Sequence, residues 1–353
     1  MRVLLVGDYP PPHGGVAVHV QQLHEYLRGR GVEAVVLDIG KGGRPAPDVI
    51  PARTPTLFGT RLAGYLREGW TVHLHTSGNN PKSWMVAALA GVRAPRAPRV
   101  ITLHSGLLPD YLAASVSRRA FARVALAGYS RVVAVSEGVR EALLRCGIPE
   151  EKLVVYPAFC ASQVRPGAAT PEIQVARARR QTLLAMAHHP SPVYGRALMF
   201  RALRRIADEL PGVGLAVFGP GTRSQEFLRD AHDTGVGELL EDMGEMEHAR
   251  ALALIARCDA FIRPTTHDGD SISVREALTL GVPCVASDVC SRPHGTYTFQ
   301  AGNAEDLANQ VHRALKQGPA QVMSPDAGPV LFKLYDALAQ PTMVGGGETH
   351  AAQ

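Results

Sequence analysis

Apolar and polar positions change period in blocks along this chain. Short runs rich in Val, Ile and Leu recur through the first half: RVLLV (2–6), VEAVVLDI (32–39), TVHLHT (71–76), RVITLH (99–104), RVVAVS (131–136) and KLVVYP (152–157). Stretches of helical period lie between them. Strands that are apolar at nearly every position are buried on both faces, so the alternation predicts right-handed βαβ units and a parallel sheet covered by helices. Between 158 and 180 the periodicity fails and Pro, Gly, Ala and Arg take over, which reads as a linker. The strand pattern then restarts with TLLAMA (182–187), GLAVFG (214–219), DAFIRP (259–264) and VPCVAS (282–287), again separated by helical stretches such as 199–210 and 305–317. The expected organisation is therefore α/β, with two Rossmann-like, doubly wound parallel-sheet domains at 1–160 and 181–325 joined by a linker at 161–180. A helix is expected at 326–340, and a disordered tail at 341–353. Ligands of doubly wound sheets bind at the carboxyl ends of the strands, so chemistry belongs in the cleft between the domains.

The first strand empties into GDYPPPHGG (7–15). Three prolines stiffen one end of this loop, and two glycines strip the other end of side chains. Val16, Val20, Leu23 and Leu27 then fall on one helical face, so Gly14 and Gly15 stand at a helix N-terminus, where unpaired N–H groups favour an anion. The plain alternative is a tight strand-to-helix turn.

Composition narrows the classes. At 353 residues, 46% hydrophobic and 20% charged, the chain reads as globular with two cores. No apolar run approaches the ~20 residues needed to span a bilayer, and no signal-peptide pattern opens the sequence, so a cytoplasmic location is expected. Five cysteines form no CxxC pair and read as core thiols; neither a disulfide framework nor a metal site is expected. A net charge of +5 suits phosphates, an anionic membrane or nucleic acid. The basic stretches SRRAFAR (117–123) and ARARRQ (176–181) are not interleaved with stacking aromatics, which argues against nucleic acid and for solvated faces.

Polar residues collect at the predicted strand ends. His104 closes an apolar strand ahead of a Ser-Gly turn, and His75 is a weaker candidate beside it. In the second half, the loop after DAFI leads through Asp268 and Gly269 to Ser271 and Ser273, two candidate N-caps. The helix VREALTL, ended by Gly281 and Pro283, follows. Glu276 is expected in its first turn, where complementarity to the helix dipole is the structural alternative.

The segment Asp268, GDSISVR, Glu276, ALTLGVPCVAS resembles the signature of family 4 retaining glycosyltransferases of the GT-B fold, with aspartate where that family more often has glutamate. YPPPHGGVAVHVQQLHEYLRGRGVEAVVL, RVVAVSEGVREALLRCGIPEEKLVVYP, GVGLAVFGPG and ARCDAFIRPTT resemble other stretches of the same family, and together they cover most of residues 1–310. The resemblance implies a nucleotide-sugar donor and a hydroxylated acceptor, which is a glycan, a lipid-linked sugar or a small molecule. It implies that Glu276 holds the donor ribose, that Asp268 and His104 lie by the transferred sugar, and that Gly14 and Gly15 approach the phosphates and the acceptor. N–H groups of residues 270–274, with Ser271 and Ser273, would receive the diphosphate. The donor phosphate would help deprotonate the acceptor, so no divalent metal or other cofactor is expected. Lipid-acceptor members of the family leave peripheral contact with an anionic membrane open.

One part of the pattern is absent. The family's arginine and lysine that grip the diphosphate are replaced in AHHPSPVYGRALMFRAL by His188 and Tyr194, and Arg196 is the expected substitute, with His188, Arg263 and Arg275 as alternatives. Two other readings accompany the transferase: a sugar-nucleotide epimerase or hydrolase on the same frame, and a non-catalytic sugar- or partner-binding member. A dinucleotide oxidoreductase is disfavoured because G-x-G-x-x-G spacing is missing after the first strand.

Overall fold

The computed structural model describes residues 1–42, 46–91, 97–320 and 326–339. The first sheet has seven parallel strands: β1 (Arg2–Gly7), β2 (Glu33–Asp38), β3 (Val49–Pro51), β4 (Thr71–Thr76), β5 (Arg99–Leu103), β6 (Arg131–Ala134) and β7 (Leu153–Val155), in the order β3-β2-β1-β4-β5-β6-β7. The second sheet has six: β8 (Thr182–Ala187), β9 (Val213–Phe218), β10 (Leu240–Gly244), β11 (Ala260–Arg263), β12 (Cys284–Ser287) and β13 (Thr296–Phe299), in the order β10-β9-β8-β11-β12-β13. Both orders reverse beside the first strand of the domain, so each sheet has a switch point there. The α/β class and the two doubly wound sheets are as the apolar runs require. The edge strands β3, β10 and β13 escape that reading because they are short, and because LEDMG and TYTF lack a continuous apolar run.

Thirteen helices lie among the described residues: α1 (Gly15–Gly29), α2 (Pro55–Arg67), α3 (Pro81–Ala90), α4 (Leu108–Ala113), α5 (Val116–Leu126), α6 (Glu137–Arg145), α7 (Pro171–Arg179), α8 (Arg196–Glu209), α9 (Gln225–Asp233), α10 (His248–Ile255), α11 (Ile272–Thr279), α12 (Ala304–Gln317) and α13 (Ala327–Ala339). Val20, Leu23 and Leu27 of α1 are fully buried against Val3 and Leu5 of β1, so the helical stripe read from sequence is the face that covers the sheet. A second apolar layer under α3, α5 and α6 covers the other face. The second sheet is sandwiched in the same manner, with Met199, Phe200 and Leu203 of α8 on one face and Val274, Ala277 and Leu278 of α11 on the other.

The segment at 161–180 is more than a linker. It contains α7, whose Ile173 packs into the second domain's core and whose Ala176 is buried. Nor is ARARRQ merely solvated: Arg180 pairs with the buried Glu241 at 2.7 Å, and Arg177 with Asp259 at 3.4 Å. Sequence periodicity missed α7 because only two apolar positions in nine residues face the core.

The last helix of the described residues, α13, returns to the first domain. Tyr335 is fully buried and hydrogen-bonds Nδ1 of His73 on β4, the Ala327 N–H donates to the Phe159 carbonyl at 2.7 Å, and Gly328 rests directly against the Tyr26 ring. The tail expected at 341–353 lies outside the described residues, as does Gln340.

Candidate active site

The loop between β1 and α1 is anchored at its start by the buried Asp38, whose Oδ1 accepts from the N–H groups of Tyr9 (3.1 Å) and Gly40 (2.9 Å). At its end Gly14 is the extended N-cap of α1, which carries no side-chain cap. A Cβ added at Gly14 would meet nothing within 4 Å, and one at Gly15 only Ile272 Cδ1 at 4.0 Å. Both glycines thus border open space, and the N–H groups of the first turn face it uncapped.

Behind this loop four histidines pack together. His19 of α1 lies 5.2 Å from His75 and 5.5 Å from His104 between ring centroids, and His73 lies 4.0 Å from His75. His75 Nδ1 and His104 Nε2 share a hydrogen bond at 3.3 Å, and His73 Nε2 meets Thr102 Oγ1 at 2.7 Å. Burial, followed by the neighbouring histidines, pushes the pKa values of His73, His75 and His104 well below the ordinary range, and burial alone takes His19 to about 4. All four are neutral near pH 7. His104, at the carboxyl end of β5, is the partly exposed member.

Across the domain boundary, β11 ends at Arg263 and the chain loops to α11. Ser271 is the N-cap by position, yet its Oγ meets Ser273 Oγ at 3.1 Å and caps no backbone N–H. Glu276 is the fifth helical residue, in the second turn rather than the first, because the helix begins only at Ile272. It is 4% exposed, and its Oε1 accepts from His248 Nε2 of α10 at 2.6 Å and from Gln22 Nε2 of α1 at 3.4 Å. Glu276 is therefore contacted from both domains. His248 carried no sequence motif; its signal is visible only once α10 is packed against α11.

Asp268 is half-buried, its side chain 9% exposed, and one of its two carboxylate oxygens is engaged. Its Oδ2 accepts from Arg292 at 2.9 Å, from Arg263 at 3.2 Å and from Thr265 Oγ1 at 3.3 Å. Burial alone would raise its pKa, but the two guanidinium groups hold it below the ordinary carboxylate range. Arg275 grips both oxygens of the buried Asp270 at 2.7 and 2.9 Å. Three guanidinium groups thus stand against two carboxylates beneath the start of α11. Arg292 was not singled out from sequence.

The two substitutes expected at the start of the second domain do not serve as free cations there. Arg196 is the first residue of α8, and its guanidinium is held by Glu226 at 2.6 Å and by Asp230, both on α9. His188 is 3% exposed, packs against Phe227 with ring centroids 5.0 Å apart and planes tilted at 59°, and has no hydrogen-bond partner at either ring nitrogen among the described residues. Burial, then Arg196, depresses its pKa to about 4, so it carries no charge near neutrality. Tyr194 takes a different part: its ring lies under the Arg263 guanidinium at 4.8 Å.

The domains meet at two glycines. A Cβ on Gly106, just after His104, would run into the backbone carbonyl of Asp268, and one on Gly269 would sit 2.6 Å from the His104 carbonyl oxygen. Val18, Phe159 and Ile272 form a small apolar contact nearby. Gly14, Gly15, His104, Ser271, Ser273 and Glu276 are thereby brought to one cleft between the sheets, with Asp268 in its floor, whereas His188 and Arg196 belong to the α8–α9 contact.

Two family models match the chain: Glycosyltransferase Family 4 over residues 13–159, and Glycosyl transferases group 1 over residues 180–317. A glycogen synthase of Mycobacterium tuberculosis is 25% identical over 346 residues, covering 86% of this chain and 81% of that protein. A 2-deoxystreptamine N-acetyl-D-glucosaminyltransferase of Streptomyces fradiae is 26% identical, covering 76% and 73%. Among solved structures, Anabaena Alr3699/HepE in complex with UDP and glucose superposes with a TM-score of 0.68 at 19% identity over 96% of this chain and 99% of that one. The catalytic domain of Starch Synthase IV from Arabidopsis thaliana, bound to ADP and acarbose, gives 0.67 at 14% identity over 96% and 98%. At these identities the two structures establish a common fold.

Proposed function

The chain belongs to the family 4-type glycosyltransferases of the GT-B fold, and from that premise we propose that it moves a hexose-type sugar from a nucleoside-diphosphate donor to a hydroxyl acceptor with retention at the anomeric carbon. The observation that carries this reading is the meeting of two helix N-termini across the domain boundary. α1 starts at Gly15 and α11 at Ile272, Val18 in the first turn of α1 packs with Ile272, a Cβ added at Gly15 would come 4.0 Å from the Ile272 side chain, and neither helix has a side-chain cap. Unsatisfied N–H groups and two positive dipole ends converge on one place, and a diphosphate answers both. Arg263 and Arg292, which share a single carboxylate, add buried positive charge below it.

In the proposed mode Glu276 accepts from the ribose hydroxyls, and His104 donates to or accepts from the sugar as its hydrogen bond with His75 dictates. As the glycosidic bond breaks, charge develops on the diphosphate, which the helix termini and the Arg263 guanidinium stabilise without reorganisation. The acceptor hydroxyl attacks from the same face and passes its proton to a phosphate oxygen, so no dedicated base and no metal ion enter the scheme. The nucleoside diphosphates bound in the structural neighbours, UDP and ADP, leave the base open.

Calorimetric titration of uridine, adenosine and guanosine diphosphate tests the site. One of them binds, and Glu276→Gln weakens it by about 1.5–3 kcal/mol, the worth of a hydrogen bond to a charged group. Equal affinity for parent and variant overturns the assignment. Release of nucleoside diphosphate from a sugar nucleotide only when an acceptor is present separates transfer from hydrolysis or epimerisation.

The acceptor side carries a second, finer reading. Five of the nine exposed large apolar residues among the described ones lie on two adjacent helices: Met85 and Leu89 on α3, and Val116, Phe121 and Val124 on α5. α5 also carries Arg118, Arg119 and Arg123 and no acidic residue. An apolar face edged by arginine suits an anionic bilayer surface, and we assign peripheral membrane contact to it.

A further inference from the structure

We propose that His248 is a positioning residue for the nucleotide: its Nε2–H fixes Glu276 through Oε1, so that Oε2 is presented to the ribose hydroxyls. The inference rests on the proposed role of Glu276 and adds a residue that no motif contains.

A buried carboxylate needs partners, since an unpaired buried charge is costly and a carboxyl free to rotate offers no fixed acceptor geometry. Glu276, with 5% of its side chain exposed, finds none on its own helix. Its two contacts come from His248 at 2.6 Å and Gln22 at 3.4 Å, and both fall on Oε1. His248 is the first residue of α10, so its backbone is fixed by a helix start while its ring spans to α11. Gln22 Oε1 is buried and has no partner among the described residues, so the amide is free to adjust, whereas the imidazole is the closer and more rigid support.

The same contact couples nucleotide binding to a proton. Burial by itself would lower the His248 pKa; the Glu276 charge and hydrogen bond, with a smaller contribution from Glu25 on α1, reverse this and hold it above the ordinary histidine value. The other titratable group facing it is His13 of the glycine loop, which burial and then His248 keep below that value. A protonated His248 makes the pair with Glu276 neutral. Once it loses the proton, a bare carboxylate faces the incoming diphosphate, so binding weakens as pH rises through the His248 pKa. Titration of the nucleotide phosphates is common to every variant and cancels in the comparison.

The test is calorimetry on the full chain with uridine, adenosine and guanosine diphosphate at about pH 6 and about pH 8.5, values that bracket the histidine range. His248→Leu is expected to bind the preferred nucleotide roughly tenfold more weakly, the scale of one hydrogen bond to a charged group. His248→Gln restores a donor without a titrating proton. It is expected to recover most of the affinity and to lose the excess pH dependence of the parent. His248→Leu binding like the parent, or the parent's pH dependence persisting in His248→Gln, overturns the inference. If Glu276→Gln is also without effect, the proposed donor site falls; if Glu276→Gln weakens binding and the His248 variants do not, only the positioning role falls. A melting curve for each variant separates loss of binding from loss of fold.

Discussion

In the proposed donor mode Arg263 is the candidate to replace the missing arginine and lysine of the second domain. The position vacated by a cation is filled by Tyr194, and its ring supports the Arg263 guanidinium, so the positive charge stands at the end of β11 rather than in the β8–α8 loop. Arg263 and Arg292 share Asp268 while Arg275 holds Asp270, so three guanidinium groups face two carboxylates and the cluster retains a positive surplus that an anion would balance. Arg263→Met should therefore cost nucleoside-diphosphate binding about 1.5–3 kcal/mol. Arg196→Met should leave that affinity unchanged, because Glu226 and Asp230 already hold the Arg196 charge on α9. Isothermal titration of the two variants decides between them, and the reverse order would return the cation to α8.

At the scale of elements, the loop after β5 and the loop before α11 touch backbone to backbone, and glycine is required on both sides. A methyl group on Gly106 cannot share space with the Asp268 carbonyl, and the obstacle is main chain that cannot rotate away. Gly106→Ala should hold the two domains apart, lowering turnover at least tenfold while circular dichroism stays that of the parent, and a larger radius of gyration in solution scattering would register the opening. Unchanged turnover would mean that this contact does not serve the reaction. The glycine loop, His104 and the α11 segment were legible in sequence because each is a local event, a strand end followed by turn residues or a helix start. His248, Arg292 and the Gln22 contact were not: each depends on which helices the sheet order sets side by side, and no local period records that. The pairing of Arg196 was hidden for the same reason, since closeness in sequence to a vacated position does not say that α9 supplies two carboxylates in its path.

At the scale of the whole molecule, the arginine-edged apolar face of α3 and α5 makes a prediction for the intact protein. Co-sedimentation with phosphatidylcholine vesicles should appear when phosphatidylglycerol is added. It should fall about 30-fold in Arg118→Ser with Arg123→Ser, at about 1 kcal/mol per arginine near a charged surface, and again in Val116→Ser with Val124→Ser. Absence of binding by the parent, or binding indifferent to both pairs, removes the membrane from the scheme. The return of α13 bears instead on how the protein is made. Leu331 and Tyr335 complete the apolar layer over Val3, Leu5 and Tyr26, yet they leave the ribosome only after the strands of the second domain. The first domain is therefore completed only after the second has been made, and a nascent chain holds an open apolar face until α13 emerges, a window in which chaperones have something to bind.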